Sequence, residues 1–152
     1  MNRIPLPAFL LVIITSVWLI ITASFTPVPP GLANDILKHT NQFRQSRGKS
    51  ALLMREDLNA IARKHSEDMA KGRRAFGHGG YNQRETRVRS IYPSCSMAEN
   101  VAYGARDGKE VVALWKNSSG HRKNMLGNYK YTGIGTASDR RGTIYYTQIF
   151  VR

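Results

Sequence analysis

Residues 97–104 read Met-Ala-Glu-Asn-Val-Ala-Tyr-Gly. Met97, Glu99, Val101 and Tyr103 alternate with Ala98, Asn100 and Ala102. That is the period of a strand, and Gly104 ends it. The strand divides the chain into two unlike halves, and the fold class follows from what lies on each side.

Downstream, Asp107-Gly108-Lys109-Glu110 has the capping-box pattern with Asp in place of Ser or Thr. A helix follows, with Val111, Leu114 and Trp115 facing inward. Ser118-Ser119-Gly120 interrupts it, so His121 opens a short second helix that ends near Gly127. Residues 131–137 and 143–151 read as strands joined by the hairpin loop 138–142. Upstream the periodicity is helical. Asn34 or Asp35 caps a helix to about Arg47, with Ile36, Leu37, Thr40 and Phe43 inside and Gly48 as its stop. Residues 50–54 are a short connection. Glu56 or Asp57 opens a helix to about Lys71, with a stripe of Leu58, Ile61, Ala62, His65 and Met69. A His on such a stripe is read as a satisfied core residue. Residues 73–80 form a loop, and residues 83–91 a short helix before Pro93. Helices first, then a short antiparallel sheet with an inserted helix, make the fold α+β.

Three polar segments carry the chemistry: Phe76-Gly77-His78, Ala98–Gly104 with Glu99, and Gly120–Leu126 with His121. Two histidines and a carboxylate suit a divalent metal or acid/base work. Trp115 is read as core, and Asn100 as a backbone partner near the strand end. Arg122 and Lys123 are read as solvated.

Residues 8–25, AFLLVIITSVWLIITASF, contain no charge. They follow Arg3 and precede Pro27, Pro29 and Pro30. Residues 1–25 are expected to be a signal peptide or an N-terminal membrane anchor, 26–31 a Pro-rich spacer, and 32–152 the folded domain. Thr22-Ala23-Ser24 has the small residues a cleavage site needs. The product is expected to be secreted, or anchored to the membrane and facing outside the cytoplasm. Cys95 is the single cysteine, so no intrachain disulfide forms; a buried, inert thiol is expected. The 152 residues carry a formal charge of +13, and loss of residues 1–31 removes only Arg3. Such a chain is drawn to anionic polymers or membrane surfaces. Nucleic acid is disfavoured, because no aromatic residues interleave Arg73, Arg74, Arg84, Arg87 and Arg89 as a stacking platform.

In order and spacing the segments after residue 31 resemble the CAP superfamily (cysteine-rich secretory proteins, antigen 5 and pathogenesis-related 1), whose unit is the SCP domain. The matching stretches are Asn41-Gln42-Phe43-Arg44, His65–Ala70, Phe76-Gly77-His78, Ala98–Gly104, Val111–Trp115, Ser119–Leu126, Gly133-Ile134-Gly135 and Tyr145–Phe150. The compact bacterial members are most alike. The resemblance implies an α-β-α sandwich and a central cavity lined by two His and usually two acids. His78, His121 and Glu99 would be three of these. The second acid lies three residues after the helix Trp, and here that position is Ser118.

Three functions remain open at this point. The chain could be a monomeric binding module, its cavity taking a lipid or peptide and holding Zn²⁺ weakly through His78 and His121. It could be a metal-dependent hydrolase with Glu99 as base. Or His78, Glu99 and His121 could merely tie the cavity walls together by hydrogen bonds.

Overall fold

The computed structural model describes residues 27–152. The expected signal or anchor, residues 1–25, lies outside the described residues. The elements run α1 (Leu32–Gln45), β1 (Leu53–Met54), α2 (Glu56–Ala70), α3 (Tyr81–Ile91), β2 (Met97–Tyr103), α4 (Gly108–Asn117), α5 (Ser119–Met125), β3 (Tyr131–Ser138) and β4 (Ile144–Val151). Among the described residues no helix is long and apolar enough to cross a membrane.

The sheet has the order β1-β3-β4-β2. β4 pairs antiparallel with both β3 and β2, placing Glu99 opposite Ile149 and Gly135 opposite Thr147. The sheet is mixed rather than wholly antiparallel, because Leu53 and Met54 add to β3 in parallel. Two residues are too few for a periodic signal, so the expected connection over residues 50–54 hid this strand. Its backbone bonds fix it: Leu53 N–H donates to Lys130 O at 2.9 Å and Arg55 N–H to Thr132 O at 2.9 Å.

Alternation on β4 feeds two cores. Tyr146 and Phe150 join Ile36, Phe43, Val111, Trp115 and Ile134 on the face covered by α1 and α4. Ile149 and Val151 join Leu58, Ile61, Ala62, Val88 and Cys95 on the face covered by α2. The result is an α-β-α sandwich in the α+β class. Cys95 is buried, as expected.

The α2 interface is unusually close because β3 offers Gly133 and Gly135 to it. A Cβ on Gly135 would collide with the backbone of Ala62 and Arg63, and one on Gly133 with that of Leu58. Polar side chains use the proximity. Asn59 Oδ1 accepts from Ile134 N–H at 2.7 Å. Ser66 Oγ lies 2.9 Å from Gly135 O and 2.8 Å from Thr147 Oγ1.

Three expectations about α1 and α4 are revised. α1 begins at Leu32 behind Gly31, at φ 80°, not at Asn34 or Asp35. Asp35 lies inside α1 and instead accepts from Gly108 N–H at 2.9 Å, so its carboxylate serves the N-terminus of α4, where negative charge is favoured. Leu114 is exposed, and Val112 joins Val111 and Trp115 inside. The expected cap of α4 is present: Asp107 accepts from Glu110 N–H at 2.7 Å.

Arg44 is buried and forms no salt bridge among the described residues. It donates to Ser50 O (2.9 Å), Met125 O (2.7 Å), Gly127 O (3.0 Å) and Tyr129 O (3.2 Å). Burial lowers its pKa from the ordinary value, and the four carbonyls hold the charge. The guanidinium therefore ties the α5–β3 connection to α1. This in turn fixes where α5 presents His121.

Candidate functional site

Glu99 lies at the centre of β2 with its side chain fully buried. A buried carboxylate needs partners for both oxygens. Arg84 from α3 supplies most of them. Its Nε donates to Oε2 at 2.6 Å and its Nη2 to Oε1 at 2.7 Å. This is the bidentate fork that a guanidinium makes with a carboxylate. The third donor of Arg84, Nη1, reaches Gly79 O at 2.8 Å and so holds the loop that carries His78.

His78 Nδ1 lies 2.9 Å from Glu99 Oε1. With Arg84 donors on both its oxygens Glu99 serves as the acceptor, and in that pairing His78 carries its proton on Nδ1 and its lone pair on Nε2. The His78 side chain is half exposed. The site is therefore open on one side and anchored on the other.

His121 comes from the first turn of α5. Its carbonyl accepts from Asn100 Nδ2 at 3.1 Å. Asn124 Nδ2 reaches Glu99 O at 3.1 Å and Asn100 Oδ1 at 3.0 Å. These amides hold α5 against β2. Burial lowers the His121 pKa, and charge on His78 lowers it further, so the two rings share one electrostatic neighbourhood. Ser118 ends α4 and starts α5. Its carbonyl accepts from Arg122 N–H at 2.8 Å, and its side chain makes no capping bond. It is a joint between helices. Among the described residues no three His, Cys, Asp or Glu side chains converge as a metal shell.

A model of the CAP, or cysteine-rich secretory protein, family matches residues 37–150. The chain belongs to the CAP family. Its CAP domain is 38% identical over 119 residues to YkwD of Bacillus subtilis (strain 168), described as uncharacterised; the match covers 76% of this chain and 45% of that one. An extracellular SCP-domain protein of Bacillus anthracis str. Ames has a solved structure with TM-score 0.69 and 27% identity, covering 84% of this chain and 45% of that chain. A cysteine-rich secretory protein of Staphylococcus aureus subsp. aureus Mu50 gives 0.66 and 25%, covering 82% and 40%. The chain thus spans less than half the length of these relatives.

Within this CAP domain, sequence reasoning placed Arg84 in a basic crowd and missed its role. The available signal was its i,i+4 spacing from Val88, which puts both on the inner face of α3. Asn124 was also missed. Asn100 does bond backbone, and Trp115 is core with its Nε1–H on Val101 O at 3.2 Å. Arg122 and Lys123 are exposed, and Arg122 donates to Lys116 O. Tyr146 is buried, and its hydroxyl pKa is pushed up to about 12 by burial. His65 is buried, but only half satisfied: Nε2 bonds Gly77 O at 2.9 Å, while Nδ1 has no partner among the described residues.

Burial lowers the pKa of His65, and Arg84 adds to the effect. His121 is lowered as well. A His with a lowered folded pKa binds its proton more readily when unfolded. Its contribution is therefore complete above the ordinary value of 6.5 and is lost as pH falls from there to the lowered folded value. The melting temperature is expected to drop between pH 7.5 and 5.5. His65→Gln, which keeps a donor towards Gly77 O, is expected to flatten part of that drop in a thermal-melt series across pH.

Proposed function

We propose that this CAP domain acts outside the cytoplasm as a binding module. In this reading its cavity around His78, Glu99 and His121 takes a lipid or peptide and holds Zn²⁺ weakly. One observation carries it: the Glu99 carboxylate, pinned by Arg84, accepts from His78 Nδ1 and so leaves Nε2 as a free donor atom. A carboxylate behind a ligating His is the usual way its tautomer and orientation are set. His78 and His121 would hold the metal, and Glu99 would orient rather than ligate. A bound Zn²⁺ would supply open coordination positions for a ligand. Two protein donors against the four of a structural site argue for weak binding.

The relatives described as extracellular or secretory, together with the uncharged run 8–25, support a location outside the cytoplasm. An exposed aromatic step beside the His78 loop supports ligand binding. Phe76 packs edge-on to Tyr103 at 4.7 Å, and Tyr103 stacks on Tyr145 at 5.8 Å. A hydrolase using Glu99 as base has less support, because Arg84 occupies both oxygens of that carboxylate. A purely structural role has a specific observation behind it, the closed network of Arg84, Glu99, Asn100 and Asn124.

Calorimetric zinc titration of the wild type and of His78→Ala/His121→Ala separates these readings. About one Zn²⁺ is expected to bind, with the heat lost in a folded variant. No heat in the folded wild type removes the metal. Unfolding of the variant in metal-free buffer makes the histidines structural.

A further inference from the structure

The chain enters the domain on a very short leash. Residues 8–25 carry no charge and are long enough in sequence to span a bilayer. Val28 already packs against the core under α1 and α4, and Leu32 N–H donates to Pro29 O at 3.4 Å. The leash from Phe25 to Val28 therefore reaches at most about 10 Å. A domain the size of residues 27–152 has a radius of gyration of about 14 Å. It cannot turn over on such a leash, so one end of it faces whatever holds residues 8–25.

The topology decides which end. Asp35, in the first turn of α1, accepts from Gly108 N–H at the start of α4. β2 ends at Tyr103, just before α4, and Gly104 N–H donates to Ile144 O at the start of β4. β3 ends there too, at the 139–143 hairpin. α2 runs along β3, with Leu58 against Gly133 and Ala62 against Gly135, and ends beside the same hairpin. Lys71 and Gly72 share a hollow there with Arg140 and Arg141.

This end suits a lipid surface in two independent ways. Phe76 and Tyr103 are 48% and 54% exposed, and their stack runs on to Tyr145. Neither tyrosine hydroxyl has a hydrogen-bond partner among the described residues. Exposed rings with free polar tips are the side chains that settle at a membrane–water interface. The charges are also sorted. Asp35 serves Gly108 N–H, Asp107 serves Glu110 N–H, and Asp139 serves the N–H groups of Arg141 and Thr143. Glu110 pairs with Arg106. Exposed Lys109, Arg140 and Arg141 have no ion-pair partner among the described residues. Free cations beside engaged carboxylates are attracted to anionic headgroups.

We propose that residues 8–25 stay in the membrane and that the hairpin end of the domain lies on that same bilayer. Phe76, Tyr103 and Tyr145 sit at the interface, and Lys109, Arg140 and Arg141 meet anionic headgroups. Arg3 stays on the cytoplasmic side, which leaves the domain outside. The proposal rests on the extracytoplasmic location given above, but on none of His78, Glu99 or His121, so the zinc titration can fail without it.

The test places a fluorophore on the full chain in vesicles of phosphatidylglycerol and phosphatidylcholine that contain headgroup spin-labelled lipid. Cys95 is buried, so Thr143→Cys and Lys49→Cys each take the dye at the new thiol. The two positions lie at opposite ends of the domain, separated by the length of α1, on the order of 20 Å. Quenching at Thr143→Cys is expected to be at least ~threefold that at Lys49→Cys, because only the first lies near the headgroups. With about ten Gly/Ser residues inserted after Pro27, the leash no longer fixes the orientation, yet the difference is expected to persist. Adding Arg140→Glu and Arg141→Glu to that lengthened chain is expected to abolish it. Equal quenching at the two ends of the unlengthened chain overturns the orientation. Loss of the difference on lengthening alone overturns the lipid contact, as does a difference that survives both charge reversals. The mass of the chain made in an exporting bacterium is expected to retain residues 1–25, and their removal overturns the tether.

Discussion

Gly135→Ala is expected to destabilise the domain by about 4 kcal/mol or more, the upper end of what one substitution does. The added methyl meets the backbone of Ala62 and Arg63, not the tip of a flexible side chain. Nothing there can rotate away, so α2 must lift from β3. Lifting α2 strains the Asn59 bond to Ile134 N–H and both bonds of Ser66. At roughly 3–5 °C per kcal/mol for a domain of this size, the melting temperature falls by about 12–20 °C. Gly120→Ala is the control. Its position is open and its φ is ordinary, so Ala in α5 is expected to be neutral or stabilising by about 0.5–1 kcal/mol. A thermal melt of the two variants beside the wild type decides. Equal melting temperatures would mean that α2 and β3 are less tightly apposed than their backbones indicate.

The same glycines show what was legible in the sequence. Gly133-Ile134-Gly135 marked a strand and, as a motif, helped identify the CAP family, but the pattern could not show that the two glycines make room for a helix. Periodicity found α2, β2, β3 and β4, because each has an apolar face long enough to count. It failed at β1, where two residues have no period. It failed at the start of α1, because Asp35 looks like a cap for its own helix and instead serves Gly108, 73 residues away. His78, Glu99 and His121 stood out because each sits among small, turn-forming residues. Arg84 and Arg44 did not stand out. A charged residue is read as solvated unless its partner is known; the partner of Arg84 is a carboxylate 15 residues on, and three of the four carbonyls around Arg44 lie over 80 residues on. Long-range polar contacts leave no local trace. For the same reason His65 passed as a satisfied core residue, when only one of its nitrogens is bonded.

Arg84→Met is expected to cost about 3–5 kcal/mol, because it strands an ionised carboxylate in the interior while keeping the volume of the side chain. Two further results separate this electrostatic cause from lost packing. First, Arg84→Met/Glu99→Gln removes the stranded charge, so the double variant is expected to be more stable than Arg84→Met alone; a coupling of ~2 kcal/mol or more marks the pair as one unit. Second, the pH response reverses. The wild type loses stability on acidification as His65 and His121 protonate more readily in the unfolded chain. In Arg84→Met, protonation of the stranded carboxyl relieves the buried charge, so lowering the pH returns part of the lost stability. Additive single and double variants, together with parallel pH profiles, would reduce Arg84 to a packing residue. The outcome also bears on function. If Arg84 holds Glu99 ionised, then Glu99 fixes the proton of His78 on Nδ1, and zinc binding at His78 should weaken in Arg84→Met even where the variant remains folded. The ion pair would then determine which nitrogen of His78 faces the ligand.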